Sequence, residues 1–501
     1  MCYIYKTEIP ETDWEKTPAS VKERMEEMKQ LIEEWGKAKA ELEAKQQELL
    51  EKLNRTSKNS SLPPSADPLN AEKKAAKKKS GLKVGGQLGH KGAGKFLYSE
   101  SECAEVINLK PELCSGCGAK LEGEDANPYR HQYVEIPPIK PIIIEHRLHQ
   151  LECGECGKST RAKLPFEDDA NHYGTRVVAM VAVLSGLYRH SQRMIKTAMQ
   201  EIFDIRLSLG TINKLRMEAS TAVEKAVEEA KTYIQNAAVV GADETRFSQK
   251  NMDGCNSKNS QAWLWTAVTP LVTFFQITLT RCTDAAKNLL GESFAGILNS
   301  DRYASYNWVG LEQRQLCWAH LKREFIKIQE RKGVSEQIGT ELLEQQEKLF
   351  DLWYQVRDGT LSRCEFQLAF VPIRNSLKST LLEAASYEIG SKENTPLAKT
   401  VRTCRLLLKV EPALWLFVTV VGVEPTNNAA ERAIRPAVIW RRTSFGSQTQ
   451  AGSTFVGRML TVVTTLKSQH RNVLEFMASS VKAARESKPF PSLLPQVPAA
   501  E

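Results

Sequence analysis

The chain has 501 residues, 42% of them apolar and 26% charged, which is enough for more than one hydrophobic core and points to roughly three or four domains. Its longest apolar stretches, from Val177 and from Ala413, are too short to cross a bilayer, and the start MCYIYKTEIPETDWEK has no secretory h-region; a membrane-spanning or secreted class is excluded and the cytoplasm expected. The net charge of +8 is uneven: residues 1–54 hold 9 Lys/Arg against 13 Asp/Glu, residues 55–95 hold 10 against 2, and residues 426–482 hold 8 against 2, so the last two segments are where a polyanion is expected, with a merely solvated linker as the competing reading of the first of them.

Residues 1–54 are strongly helix-forming from Val21 to Leu53. Met28, Trp35, Leu42 and Leu49 recur every seven residues, with Met25, Ile32 and Leu53 at the companion positions. The pattern predicts a short coiled coil and with it a homo-oligomer; Lys39 and Gln46 interrupt the seam, so a weak or intramolecular pairing is the alternative. Residues 55–102 are rich in Ser, Pro, Gly and Lys over most of their length and predict a disordered basic linker.

Residues 103–170 contain CSGCG and CGECG. Two Cys-x-x-Cys knuckles, each followed by Gly, let Cys114, Cys117, Cys153 and Cys156 surround one Zn2+ ion, with YRHQYVEIPP and PIIIEHRLHQLEC as strands of a zinc ribbon. Four thiolates leave no open position, so that zinc is structural; unrelated thiols or a disulfide are the alternative. Residues 171–235 read as helices, with a break at IRLS and a fresh start at Ser208. That fits a helix-turn-helix whose last helix offers Thr211, Asn213, Lys214 and Arg216 to a DNA major groove; an ordinary helical pair is the plain alternative.

From residue 236 the pattern turns to strands: AAVVGADETRF, QAWLWTAVTP and VTFFQITLTR, then a helical stretch, then GILNSD. This β-β-β-α-β order matches a ribonuclease-H-like core over 236–485, with a helical insertion at about 322–415 and a tail at 486–501. The fold class is therefore multidomain α+β. In that arrangement Asp243 ends the first, central strand and Asp301 ends the fourth, its neighbour, while Glu431 lies on a short helix starting near Asn427 or Asn428. Three carboxylates so gathered make a cage for two divalent cations, and Arg432, Arg435, Arg441 and Arg442 beside the third suit phosphate contacts. The competing readings are that Asp301 caps the following helix and that Glu431 is the N3 partner of a capping box with Asn428.

Taken together, NSSLPPSADP, GGQLGHKG, the double knuckle, the helix-turn-helix, the three acidic contexts and CWAHLKREF resemble transposases of the insertion sequence 66 family, a group of the DDE class; Leu88 stands where Pro is expected in GGQPGHKG. The resemblance implies a DNA transposase that binds the terminal inverted repeats of its element and cleaves and joins strands. Asp243, Asp301 and Glu431 would then be the catalytic triad holding two Mg2+ (or Mn2+) ions, and Cys317 and His320 would brace the active site. It also implies target DNA and accessory proteins of the same element as partners. A non-catalytic DNA-binding regulator, or a nuclease without strand transfer, is the alternative.

Overall fold

The computed structural model describes residues 2–4, 7–9, 11–60, 97–164, 172–257 and 261–495. Most of the basic linker expected at 55–102 lies outside the described residues. A short hairpin, β1 (Cys2–Ile4) with β2 (Thr7–Ile9), and a short helix α1 (Glu11–Lys16) lead into α2 (Ala19–Leu53). Spaced Lys/Glu and Arg/Glu pairs such as Lys52–Glu48 lie along α2 at helical spacing, exposed to solvent. Among the described residues nothing covers the heptad seam of α2: Trp35 is 78% exposed and Leu42 68%.

Residues 97–164 have no core of their own. Pairing there is limited to β3 (Gln150–Glu152) with β4 (Ser159–Arg161), antiparallel, and an antiparallel bridge between Leu113 and Lys120, so the strand expected from YRHQYVEIPP is absent and that from PIIIEHRLHQLEC is reduced to its last residues. The reason is physical: Ile142, Ile143, Ile144 and Tyr129 are all exposed, and without a face to pack on, β propensity alone does not make a sheet.

Helices α3 (Thr175–Gly186), α4 (Gln192–Phe203), α5 (Leu209–Ala222) and α6 (Glu224–Gln235) follow. Ser191 caps α4 and Ser208 caps α5, each accepting the N–H three residues on. Val223 ends α5 and starts α6. Next comes a five-stranded sheet in the order β7 (Thr273–Thr278), β6 (Ala262–Val268), β5 (Val239–Phe247), β8 (Ile297–Ser300), β9 (Arg314–Leu316), with α7 (Thr283–Leu290) between β7 and β8. The first three strands form an antiparallel meander; β8 and β9 run parallel to β5, which is central.

After β9 the chain forms α8 (Trp318–Gln329), α9 (Val334–Asp358), α10 (Arg363–Ser386), α11 (Pro396–Lys409) and α12 (Leu416–Thr419). These helices build a second core from Leu316 to Val423, around Trp318, Trp353, Phe366, Trp415 and Phe417, wider at both ends than the insertion expected at 322–415. The chain then returns to the sheet as α13 (Asn428–Ser444), α14 (Gln450–Ser468) and α15 (Val473–Arg485). Edge strand β7 is closed by α14: Thr461 and Thr465 hydroxyls accept the N–H groups of Phe275 and Thr273, sparing donors that would otherwise invite another strand.

The sheet, α3 to α6 and α13 to α15 share one hydrophobic core, so the helices of 171–235 do not form a body with a separate core. The expected tail is anchored as well: Leu493 is buried, with its carbonyl held by Gln469.

Candidate active site

The site grows out of strand register. Parallel pairing of β5 with β8 ends at Gly241↔Asn299, and two residues further along each chain stand Asp243 and Asp301. Asp243 is not at the end of its strand, as expected, because β5 continues to Phe247 as the partner of β6; what ends before Asp243 is the pairing with β8. Pairing of β8 with β9 ends at Ser300↔Leu316, which brings Cys317 alongside Asp301. One sheet edge thus presents Asp243, Asp301 and the start of α8 together.

The returning chain is stitched into this edge by residues 424–427. Asn427 Nδ2 donates to the Ala242 carbonyl at 2.6 Å, Asn299 Nδ2 donates to the Glu424 carbonyl at 2.7 Å, and the Trp318 N–H donates to the Pro425 carbonyl at 2.9 Å. Glycine at 241 makes this approach possible, since a Cβ there would lie 2.9 Å from Asn427 Oδ1. Cys317 Sγ accepts the Asn427 N–H at 3.2 Å, which ties the start of α8 to the returning chain.

Glu431 sits in the first turn of α13, a helix of 17 residues and not a short one. Its N–H bonds to the Asn427 carbonyl, but its side chain forms no capping box. Instead Glu431 Oε1 lies 3.8 Å from His320 Nδ1, and both atoms are buried without a hydrogen-bond partner. Asp301 does part of the turn-forming work of its alternative reading, its Oδ1 accepting the Tyr303 N–H at 2.9 Å.

The electrostatics are those of an anionic pocket. Burial holds the Asp243 carboxyl well above the usual carboxylate range, and the charges of Glu244, Asp301 and Glu431 push it the same way. Burial lowers His320, against the upward pull of Asp301. Asn299 Oδ1 and Asn427 Oδ1, on the two segments stitched together here, are also buried without partners. Buried acceptors left this way ordinarily cost about 1–3 kcal/mol each, and a bound cation is the group whose charge would offset that cost.

Several supporting residues escape a reading of the sequence. Glu244 is bound by Arg281 (Nε to Oε1 3.0 Å) and by the Tyr306 hydroxyl (2.6 Å), so the carboxylate next to Asp243 is consumed internally. Arg314, itself buried, donates to the Asp301 carbonyl at 2.8 Å and to Asn307 Oδ1 at 2.8 Å, fixing the loop that carries Asp301. A cleft of about 380 Å³ opens over Asp301 and His320 and is edged by Arg55, Arg302, Arg323 and Lys327. Spacing carried a signal here, because His320, Arg323 and Lys327 fall on one face of α8.

Residues 172–454, more than half of the chain, match the Transposase IS66 family. The chain belongs to the IS66 transposase family. Residues 111–157 match the zinc-finger binding domain of transposase IS66, and residues 15–95 match a family of unknown function. Two proteins of Sinorhizobium fredii are similar along most of the chain: y4qI is 25% identical over 417 residues, covering 77% of this chain and 73% of its own length, and y4hP is 24% identical over 401 residues, covering 73% and 69%.

In this member of the family, the segment matching the zinc-finger domain holds two well-formed knuckles. Gly118 and Gly157 take positive φ and donate to the Cys114 and Cys153 carbonyls, and neighbouring N–H groups lower both of those thiols. The knuckles are formed separately: among the described residues, the set of three Cys, His, Asp or Glu groups whose ligand atoms all lie within 4.8 Å of one another is Cys317, His320 and Glu431, not the knuckle cysteines. No helix among the described residues is long and apolar enough to cross a membrane.

The expected DNA-contacting side chains divide. Asn213 and Lys214 are exposed on α5, and Arg432, Arg435 and Arg442 on α13. Thr211 is half-buried with its hydroxyl paired to Ser208. Arg216 is turned inward, its guanidinium 4.3 Å from the Phe455 ring centre and its pKa lowered by burial to about 10. Helical spacing puts Arg216 one turn past Ile212, on the packed side, which its charge concealed. Arg441 is likewise committed, bonding Thr245 Oγ1 at 3.1 Å and the Arg246 carbonyl.

Proposed function

We propose that this chain is a DNA transposase that binds the terminal inverted repeats of its element and carries out divalent-cation-dependent strand cleavage and strand transfer, with Asp243, Asp301 and Glu431 as the catalytic carboxylates. The observation that carries this reading is the shared position of Asp243 and Asp301 beyond the last β5–β8 pair, with Glu431, in the first turn of α13, near enough for its charge to act on Asp243. The meander followed by two parallel strands supports a ribonuclease-H-like core. The three carboxylates would hold Mg2+ or Mn2+, which when bound supplies charge neutralisation for an in-line displacement at phosphorus. The protein's own part is positional. Asn427 and Asn299 lock the strand ends to α13, Arg314 fixes the Asp301 loop, and Arg302, Arg323 and Lys327 offer the cleft to a phosphodiester backbone.

The two knuckles would share one structural Zn2+, an assignment supported by the family match and by thiols already lowered by their turns. Since residues 97–164 lack a core, metal binding there would be most of their folding energy. Helices α4 and α5 serve as a helix-turn-helix presenting Asn213 and Lys214, and the uncovered seam of α2 pairs chains so that two transposon ends are held together.

Purified protein with labelled terminal DNA and Mg2+ tests the reading. Joined products are expected; nicks without joining indicate a nuclease, and binding without either indicates a regulator.

A further inference from the structure

We propose that Cys317, His320 and Glu431 form a binding site for a thiophilic transition-metal ion such as Zn2+, separate from the zinc-finger knuckles, and that its occupation withdraws Glu431 from the carboxylate triad. The second half of this statement rests on the function proposed above; the first half does not.

The sulfur, an imidazole nitrogen and a carboxylate oxygen all lie within 4.8 Å of one another. Ligand atoms around tetrahedral zinc stand roughly 3.3–3.8 Å apart, so closure needs a movement of about 1 Å, within side-chain rotation. The donors come from two rigid elements. Cys317 and His320 occupy the N-cap and first turn of α8, Glu431 the first turn of α13, and the Asn427 N–H holds the sulfur in place.

A purely bracing role for this trio is incomplete. The brace uses Sγ as an acceptor for Asn427, yet His320 Nδ1 and Glu431 Oε1 stay buried and unpaired at 3.8 Å, too far for a hydrogen bond. An ion between them satisfies both. The donor set selects the ion, because thiolate with imidazole favours Zn2+ or Co2+ and is not used by Mg2+. Three protein ligands leave a fourth position open, and the cleft over His320 gives entry from solvent. Binding replaces the Cys317 thiol proton, which leaves to water.

The test uses the full chain with Cys114, Cys117, Cys153 and Cys156 changed to Ser, so that no knuckle thiolate contributes, its fold checked by circular dichroism. Titration with Co2+ should give one equivalent of near-ultraviolet thiolate-to-cobalt absorbance. The band should vanish in Cys317→Ser, and affinity should fall roughly tenfold or more in His320→Ala and Glu431→Gln. No band, or a band that survives Cys317→Ser, overturns the site. If the knuckle changes disturb folding, zinc retained by the wild-type chain is counted instead; equal counts in wild type and Cys317→Ser overturn it equally. In a second arm, Zn2+ is added to the Mg2+-supported joining reaction. Inhibition should be about tenfold weaker in Cys317→Ser, each protein judged against its own zinc-free rate. A cobalt site without differential inhibition keeps the metal site and removes the sharing of Glu431.

Discussion

The side-chain amide of Asn59 donates to Glu330 Oε2 across 2.8 Å, although 271 residues separate them in the chain. Asn59 is buried, and close by Glu51 pairs with Arg331 at 3.3 Å and with Lys399 at 3.6 Å. The end of α2 is therefore latched onto the helical insertion, which sets Arg55 in the wall of the cleft above Asp301. Glu330→Ala leaves the Asn59 amide short of a partner and should cost about 1–2 kcal/mol of local stability. Hydrogen exchange across residues 51–60 checks this: protection should drop there while the sheet is unchanged.

The inward turn of Arg216 separates two substitutions one might otherwise equate. Arg216→Ala should lower thermal stability by about 1–2 kcal/mol through lost packing on Phe455, with little change in DNA affinity. Lys214→Ala should do the opposite, reducing affinity and flattening its salt dependence while the melting temperature holds. Paired melting and binding curves distinguish them.

Asp243 carries a cost in stability. Its folded carboxyl keeps its proton to higher pH than the unfolded one, so the native state binds more protons over that interval, and stability falls as pH rises from about 4 through the folded pKa. Asp243→Asn should therefore raise the melting temperature at neutral pH and remove part of that decline. Mg2+ or Mn2+ should stabilise the wild type and leave Asp243→Asn nearly unaffected, as differential scanning calorimetry with and without the ion would reveal.

Much of the scaffold was legible because its signals are local. Alternation and turn residues marked β5, β6 and β7, and the run before Asp301 marked β8. That order brings Asp243 and Asp301 onto neighbouring strands, although Asp243 lies within β5 and Glu431 arrives on a longer helix than expected. What stayed hidden depends on packing between distant segments. Nothing near Glu244 in the sequence announces Arg281 or Tyr306 as its partners, and the amphipathic pattern of α5 alone does not say which neighbour covers Arg216. The ribbon strands failed for the converse reason: Ile142 to Ile144 have the right propensity and no surface to use it on. Cys317 and His320 read only as a brace for the active site, and nothing near them in the sequence shows that α13 brings Glu431 beside them.

The heptad seam of α2 makes a further demand. Trp35 and Leu42 stand largely in solvent in the single chain, and a stripe of that kind is buried when two helices pair. Trp35→Glu together with Leu42→Glu should shift the protein from oligomer to monomer in light scattering, with the melting transition of the sheet preserved.

The carboxylate triad is tested most directly by the rate of strand joining on labelled terminal DNA with Mg2+, compared among the wild type, Asp243→Asn, Asp301→Asn and Glu431→Gln at matched DNA occupancy. Each substitution should reduce joining by roughly a hundredfold or more while DNA binding persists. Joining at the wild-type rate by any one of the three would contradict the assignment.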